Sequence, residues 1–279
     1  MKILLIGVGL IGGSFSLALK KRNFQFAGLS RSEKTLDTAK ERGIISKKFL
    51  NLEEAIAWTD WIILSIPVDA IKKMLPNILD QISDKQMVID FGSTKAAICQ
   101  VVKNHPRRNQ FIAAHPIAGT EYSGPSAAFP DLYKGKRLII CEDELSKPEE
   151  LATFLSIAID VGFEITKMGA EEHDRHLAYI SHLSHVTSYA LSNTVLEKER
   201  NGEVILELSG SGFASTVRLA KSSPEMWCPI FIENKEMILE SIDSYMEQME
   251  RLKNLIEAEN ETGLKTFLAE AREIRKILK

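Results

Sequence analysis

The sequence predicts an α/β protein, with a doubly wound sheet in its N-terminal part and an all-α C-terminal domain. Three observations predict it. Through residues 1–168, short apolar runs rich in branched side chains alternate with amphipathic helical patterns. A glycine cluster separates the first such run from the first helical pattern. From 169 to 279 the strand-like runs nearly vanish and long helical patterns take over.

The first strand is expected over 2–7 (KILLIG), and a helix over 14–22. Between them Gly7, Gly9 and Gly12 fall in the order G-x-G-x-x-G. In that position the first glycine serves a tight turn and the second lets a pyrophosphate approach the backbone. The third lets helix and strand pack closely, with the helix N-terminus facing the anion. This is a Rossmann-type arrangement, so residues 1–168 are expected to bind a dinucleotide. Leu10 and Ile11 lie inside the fingerprint and join its expected contacts.

The second strand is expected over 24–31, where its end faces the adenosine ribose. An acid there would favour NAD, but the chain has Ser30, Arg31 and Ser32. A hydroxyl beside a guanidinium suits a 2′-phosphate, so NADP is favoured over NAD. Stacking of Arg31 on adenine, or a solvated Arg31, is the alternative.

A helix is expected over 32–43, stopping at Gly43, and a strand over 61–67, which brings Ser65 and Pro67 to the ligand edge. The pattern over 68–82 is helical, with Pro76 expected to break it. Strand 86–93 leads to helix 94–104. Strand 110–116 delivers His115 at its carboxyl end, followed by the small and polar residues of HPIAGTEYSG (115–124). Pro116 biases His115 toward an extended backbone. Strand 134–143, helix 147–162 and strand 163–168 close the N-terminal part, which sets the division at 1–168 and 169–279.

The second part is expected to hold one long helix over 170–198, a further helix before a glycine loop at 210–215, and helical runs over 216–259 and after Gly263. Ile242, Tyr245, Met249, Leu252 and Ile256 recur at three- and four-residue spacing. So long a stripe suits an interaction surface, with a homodimer as the simplest form and packing within its own domain as the alternative.

The composition excludes several classes. The chain has 279 residues, 44% of them hydrophobic and 26% charged, with a net charge of −3. Such a balance carries no basic field for nucleic acid or anionic membranes. Cys99, Cys141 and Cys228 are odd in number and far apart, which fits a reducing cytoplasm better than a disulfide framework or a zinc site. The apolar start is read as a strand and glycine turn rather than a signal peptide, and no run reaches the ~20 apolar residues of a membrane helix.

Four of the six histidines fall in one helical stretch, at His173, His176, His182 and His185. His173 and His182 lie on opposite faces and ~13 Å apart along an ideal axis, so the four cannot form one cage, and no metal is expected. Of His182 and His185, one is expected to face the cleft and the other to be a hydrogen-bonded core histidine. Arg218, between a Gly/Ser loop and an apolar helical pattern, calls for a carboxylate, which could be a substrate's or a structural partner's, such as Glu225.

Taken together, GVGLIGGS at the start, DFGSTK (90–95), HPIAGTEYSG (115–124), HDRHLAYISHLSH (173–185) and GSGFASTVRLAKSSPEMW (210–227) resemble the prephenate/arogenate dehydrogenases of tyrosine biosynthesis. The resemblance spans nearly the whole chain. It implies oxidative decarboxylation of prephenate or arogenate, with hydride transfer to NAD(P)+, and a minimal member without a chorismate mutase region or a regulatory domain. It makes His115 the general base and Ser93 the group that holds its imidazole in the right tautomer. It makes Arg218 the clamp on a substrate carboxylate, and sets His182, Thr120, Glu121 and Lys95 toward the substrate. Two departures stand out: Ser184 replaces a proline of the family motif, and Ala214–Ser215 replace a more polar pair. A β-hydroxyacid dehydrogenase is a rival, but 169–197 holds none of the lysines such enzymes need at the start of the second domain. A non-catalytic NAD(P)-sensing regulator is the other, and it would not require His115, Ser93 and Arg218 together.

Overall fold

The structure, a computed structural model, describes residues 1–202 and 204–277. Glu203, in the region expected to be helical before 210, and Leu278, at the end of the last helical run, lie outside the described residues. Eight strands form one sheet in the order β3-β2-β1-β4-β5-β6-β7-β8. They are β1 (Lys2–Ile6), β2 (Gln25–Leu29), β3 (Lys47–Phe49), β4 (Trp61–Leu64), β5 (Met87–Asp90), β6 (Phe111–Pro116), β7 (Arg137–Cys141) and β8 (Glu164–Met168). The first six run parallel, while β7 is antiparallel to β6 and β8 parallels β7. Helices α1 (Leu10–Ala18), α2 (Glu33–Glu41), α3 (Leu52–Trp58), α4 (Val68–Gln81), α5 (Ala96–Val102) and α6 (Pro148–Val161) cover the two faces. Each face has its own core. Ile3, Leu5, Phe15 and Ile63 lie on one side, and Leu4, Ile62, Leu75 and Val102 on the other. The strand order reverses between β1 and β4, and at that point an open α/β sheet leaves a crevice at its carboxyl edge.

Four local expectations are corrected. First, α1 begins at Leu10 and takes Gly12 and Gly13 into its first turns, although glycine is a poor helix former. Packing decides this: a Cβ at Gly12 would meet Ser65 Oγ at 2.4 Å, and one at Gly13 would meet the Ala128 Cβ at 2.9 Å. Second, Pro76 does not break α4, because Val68, Ile71, Leu75, Ile78 and Leu79 are buried along one face and hold the helix through the lost bond. Third, the expected loop at 210–215 is largely helix α9 (Ser211–Thr216), with Gly210 extended at its start. Fourth, the stretch between the helix at 32–43 and the strand at 61–67, for which no element was expected, holds β3, a three-residue edge strand, and α3, whose start is capped by Asn51 accepting the Glu54 N–H.

The remaining helices are α7 (Ala170–Leu177), α8 (Leu183–Arg200), α10 (Pro224–Glu233), α11 (Lys235–Glu257) and α12 (Glu261–Ala271). A single π turn over Ala178–His182 joins α7 to α8. They dock on the sheet through α4 and α5: Lys72 on α4 pairs with Glu233 on α10 at 2.6 Å, and Trp227 and Ile230 enter the α4-side core. No helix of the described residues is long and apolar enough to cross a membrane.

The turn after β1 depends on Gly7. Its φ of +98° lies in the region that favours glycine, and a Cβ there would sit 2.3 Å from the Ser65 carbonyl oxygen. Gly7→Ala is therefore expected to lose about 2 kcal/mol or more, read as a lower urea midpoint. An unchanged midpoint would show that the turn has slack.

Candidate active site

The glycine turn is built as a cradle. Gly7 and Gly12 are enclosed by Ser65 and Ile66, just after β4, and the Ser65 hydroxyl donates to the Gly7 carbonyl at 2.7 Å. Gly9 is different: a Cβ there would meet nothing nearer than Gly124, at 3.9 Å. Gly9 also starts α1 without a side-chain cap, so the first backbone N–H groups of the helix lack intrahelical partners and face this space. An open backbone, unfilled donors and a helix N-terminus fit a dinucleotide pyrophosphate. Leu10 is buried, Ile11 is half-buried, and Pro67 is exposed at the start of α4. At the end of β2, Ser30 Oγ accepts the Ser32 N–H at 3.2 Å, and Arg31 is exposed.

His115 ends β6, which lies beyond β4 and β5 from the glycine turn. The β5–β6 register, continued past Asp90↔Ala113, sets Gly92 opposite His115 and Ser93 one residue beyond. After Pro116 the chain crosses to Gly124 beside Gly9 and then packs on α1, where the Phe129 N–H meets the buried Ser14 Oγ at 3.0 Å. The segment 115–124 thus links the imidazole to the glycine turn. Gly119 has open space around it, and Thr120 Oγ1 accepts the Tyr122 N–H at 3.3 Å.

His115 Nδ1 lies 2.8 Å from His173 Nε2, and His173 Nδ1 lies 2.7 Å from Asp174 Oδ1. This contact corrects the role expected of Ser93: His173 holds the His115 Nδ1, and among the described residues no hydrogen bond joins Ser93 to the ring. Burial, and secondarily His173, Lys95 and His182, hold the His115 pKa well below the ordinary 6.5. The residue as a whole is half-buried, so a largely desolvated, neutral imidazole lies at the carboxyl edge of the sheet. His173 is fully buried and also lowered, with Asp174 opposing the effect of burial.

Lys95 is also corrected. It is fully buried, its ammonium bonded to the Asp90 carboxylate and, at 2.9 Å, to the Ala114 carbonyl. It cannot touch a substrate and instead braces β6 just before His115. His182 is 1% exposed, beside the Trp227 edge, with Asn234 Nδ2 3.1 Å from its Nδ1. Burial pushes its pKa down to about 4. It is the core histidine of its pair, and His185, half-buried and stacked on Trp227 at 3.5 Å, is the more open one. Arg218 meets Glu121 at 3.7 Å rather than Glu225, which bonds Ser223. Arg218 remains 54% exposed, so its charge is available at the mouth.

The sequence reading missed His173 and Asp174 as site residues. Neighbouring residues on a helix project about 100° apart and do not normally face each other. The only hint was an imidazole and a carboxylate side by side at the start of a motif.

A glycine cradle at the switch point and a neutral histidine at the carboxyl end of β6 define an NAD(P)-dependent dehydrogenase. Residues 15–167 match the model of the prephenate dehydrogenase nucleotide-binding domain, and residues 169–270 match that of its dimerization domain. The chain belongs to the prephenate dehydrogenase family. It is 27% identical to the cyclohexadienyl dehydrogenase of Zymomonas mobilis, over 99% of this chain and 96% of that one. It superposes with a TM-score of 0.93 on prephenate dehydrogenase from A. aeolicus in complex with hydroxyphenyl propionate and NAD+, at 29% identity and covering 100% and 98% of the two chains. For Synechocystis arogenate dehydrogenase the TM-score is 0.77, at 27% identity, with 100% of each chain covered.

Removing Lys95 would strand the buried Asp90 carboxylate. Lys95→Met is expected to cost about 3–5 kcal/mol in guanidinium unfolding, with partial recovery when Asp90→Leu is added. A loss as small as that of a surface pair would contradict the bracing role.

Proposed function

We infer that the chain oxidatively decarboxylates prephenate or arogenate, using NAD(P)+, in tyrosine biosynthesis. The observation that carries this is the neutral His115, partly open at the end of β6, on the segment that runs on to Glu121, the partner of Arg218, and to Gly124 beside Gly9. The bound dinucleotide supplies the hydride acceptor. Gly7, Gly9, Leu10, Ile11 and Gly12 hold its pyrophosphate end, and Ser65 and Pro67 line the approach.

The chain's own residues supply the rest. His115 takes the proton of the ring hydroxyl as the O–H bond breaks. The C–H electron pair leaves that carbon as hydride, and a C=O bond forms. The ring carboxylate departs as CO2, its bonding electrons make the ring aromatic, and His115 returns the proton to the phenolic oxygen. Ser93, beside His115 on the next strand end, is assigned to the reacting hydroxyl. Arg218 binds a substrate carboxylate. Its half-exposed pair with Glu121 is worth at most about 1 kcal/mol, so a substrate anion can replace Glu121 at little cost. Thr120 and Glu121 form the rim.

The finer readings rest on the same residues. NADP is favoured over NAD because Arg31 is exposed at the end of β2 with Ser30 beside it. The division falls at 168/169, where β8 gives way to α7. A homodimer through the helical part is supported by Tyr245, Met246, Met249 and Ile256, all exposed along α11. A cytoplasmic location is supported by the sparse, widely spaced cysteines.

The assignment is tested by following absorbance at 340 nm with prephenate and arogenate against NAD+ and NADP+; no reduction in any combination would reject it. His115→Asn is expected to cut kcat at least ~100-fold with cofactor affinity unchanged, and near-normal turnover would remove it as the base. Arg31→Ala should weaken NADP+ more than NAD+, and equal effects on both would sink the 2′-phosphate reading.

A further inference from the structure

The Asp174 carboxylate is shared between two parts of the molecule. Its Oδ1 accepts the Lys95 N–H at 2.8 Å, and its Oδ2 accepts the Ala96 N–H at 2.8 Å, at the start of α5. The same Oδ1 lies 2.7 Å from His173 Nδ1. The Asp174 backbone carbonyl accepts Asn234 Nδ2 at 2.7 Å. Asp174 and His173 are 98% and fully buried, respectively, so water does not compete for these bonds.

Bonding capacity then fixes the protons. The Asp174 carboxylate is an acceptor, so His173 carries its hydrogen on Nδ1. A neutral His173 therefore offers a bare Nε2. The 2.8 Å contact can form only if His115 donates from Nδ1. His115 Nε2 is left as a lone pair on the opposite side of the ring.

We propose that His173 and Asp174 are positioning residues that lock His115 as the Nδ1–H tautomer and make Nε2 the proton acceptor. Because Asp174 lies on α7 and bonds the start of α5, the lock exists only while the helical part is docked on the sheet. When His115 takes the substrate proton, its Nδ1–H stays bonded to His173 and the new positive charge is shared toward Asp174. This deepens the base assignment to His115 and rests on it.

The test is long-range 1H–15N NMR of the full chain carrying 15N-histidine, with His115→Asn used to assign the His115 signals. Protonated Nδ1 and bare Nε2 on His115 are expected at neutral pH. His173→Leu should lower kcat at least about 10-fold with substrate KM unchanged, because orientation and tautomer are lost but binding groups remain. His173→Gln, which keeps an acceptor oxygen, should recover part of that loss. A His115 protonated on Nε2 in the unmodified protein, or normal kcat in His173→Leu, would overturn the relay. Neither result would rescue or remove the base itself, which the turnover of His115→Asn decides separately.

Discussion

The arrangement of the site depends on one buried carboxylate. Asp174 satisfies the first N–H groups of α5, and the same group orients His173, which holds His115. A buried acceptor with several donors is costly to disturb, because each donor left unpaired away from water costs about 1–3 kcal/mol. The base is therefore set not by β6 alone but by the fit of α7 against α5. Apolar packing supports that fit: Ala170, Leu177, Trp227 and Ile230 bury themselves in the α4-side core of the sheet.

On the other flank the geometry comes from close backbone packing. Gly7 and Gly12 allow the turn after β1 to press against Ser65, while Gly9 keeps its surface clear. The antiparallel neighbours β6 and β7 could be joined by a tight turn, but their connection is long and carries residues 117–136 from His115 past Gly9 to α1. Lys95 ties α5 to β5 and β6, reaching from the start of α5 to the Asp90 carboxylate and the Ala114 carbonyl. Its charge serves the scaffold, and the lysine of DFGSTK is fully buried.

The parallel sheet, the glycine turn and His115 at a strand end were legible because they rest on local signals: apolar runs, spacing and a proline. Departures from expectation came where packing outweighed propensity. Gly12 and Gly13 are helical because nothing larger fits, and Pro76 stays in α4 because the buried face holds it. His173, Asp174 and Lys95 were beyond reach for another reason. Apart from the adjacent His173–Asp174 pair and Asp90, five residues before Lys95, their partners lie 58, 78 or 79, and 19 residues away along the chain, and only the docked fold brings them together. Assigning Ser93 to the imidazole and His182 to the substrate failed on the same point, since sequence order does not tell which polar side chain wins a buried nitrogen.

The central claim is that a half-buried, neutral imidazole removes the substrate proton. The pH dependence of kcat/KM for cofactor reduction tests it most directly. With burial lowering the His115 pKa well below 6.5, His115 is still neutral at that pH, so activity should persist through pH 6.5 and fall only on further acidification. Activity already half lost at or above pH 6.5 would mean a solvated or cation-stabilised histidine, and would contradict the account.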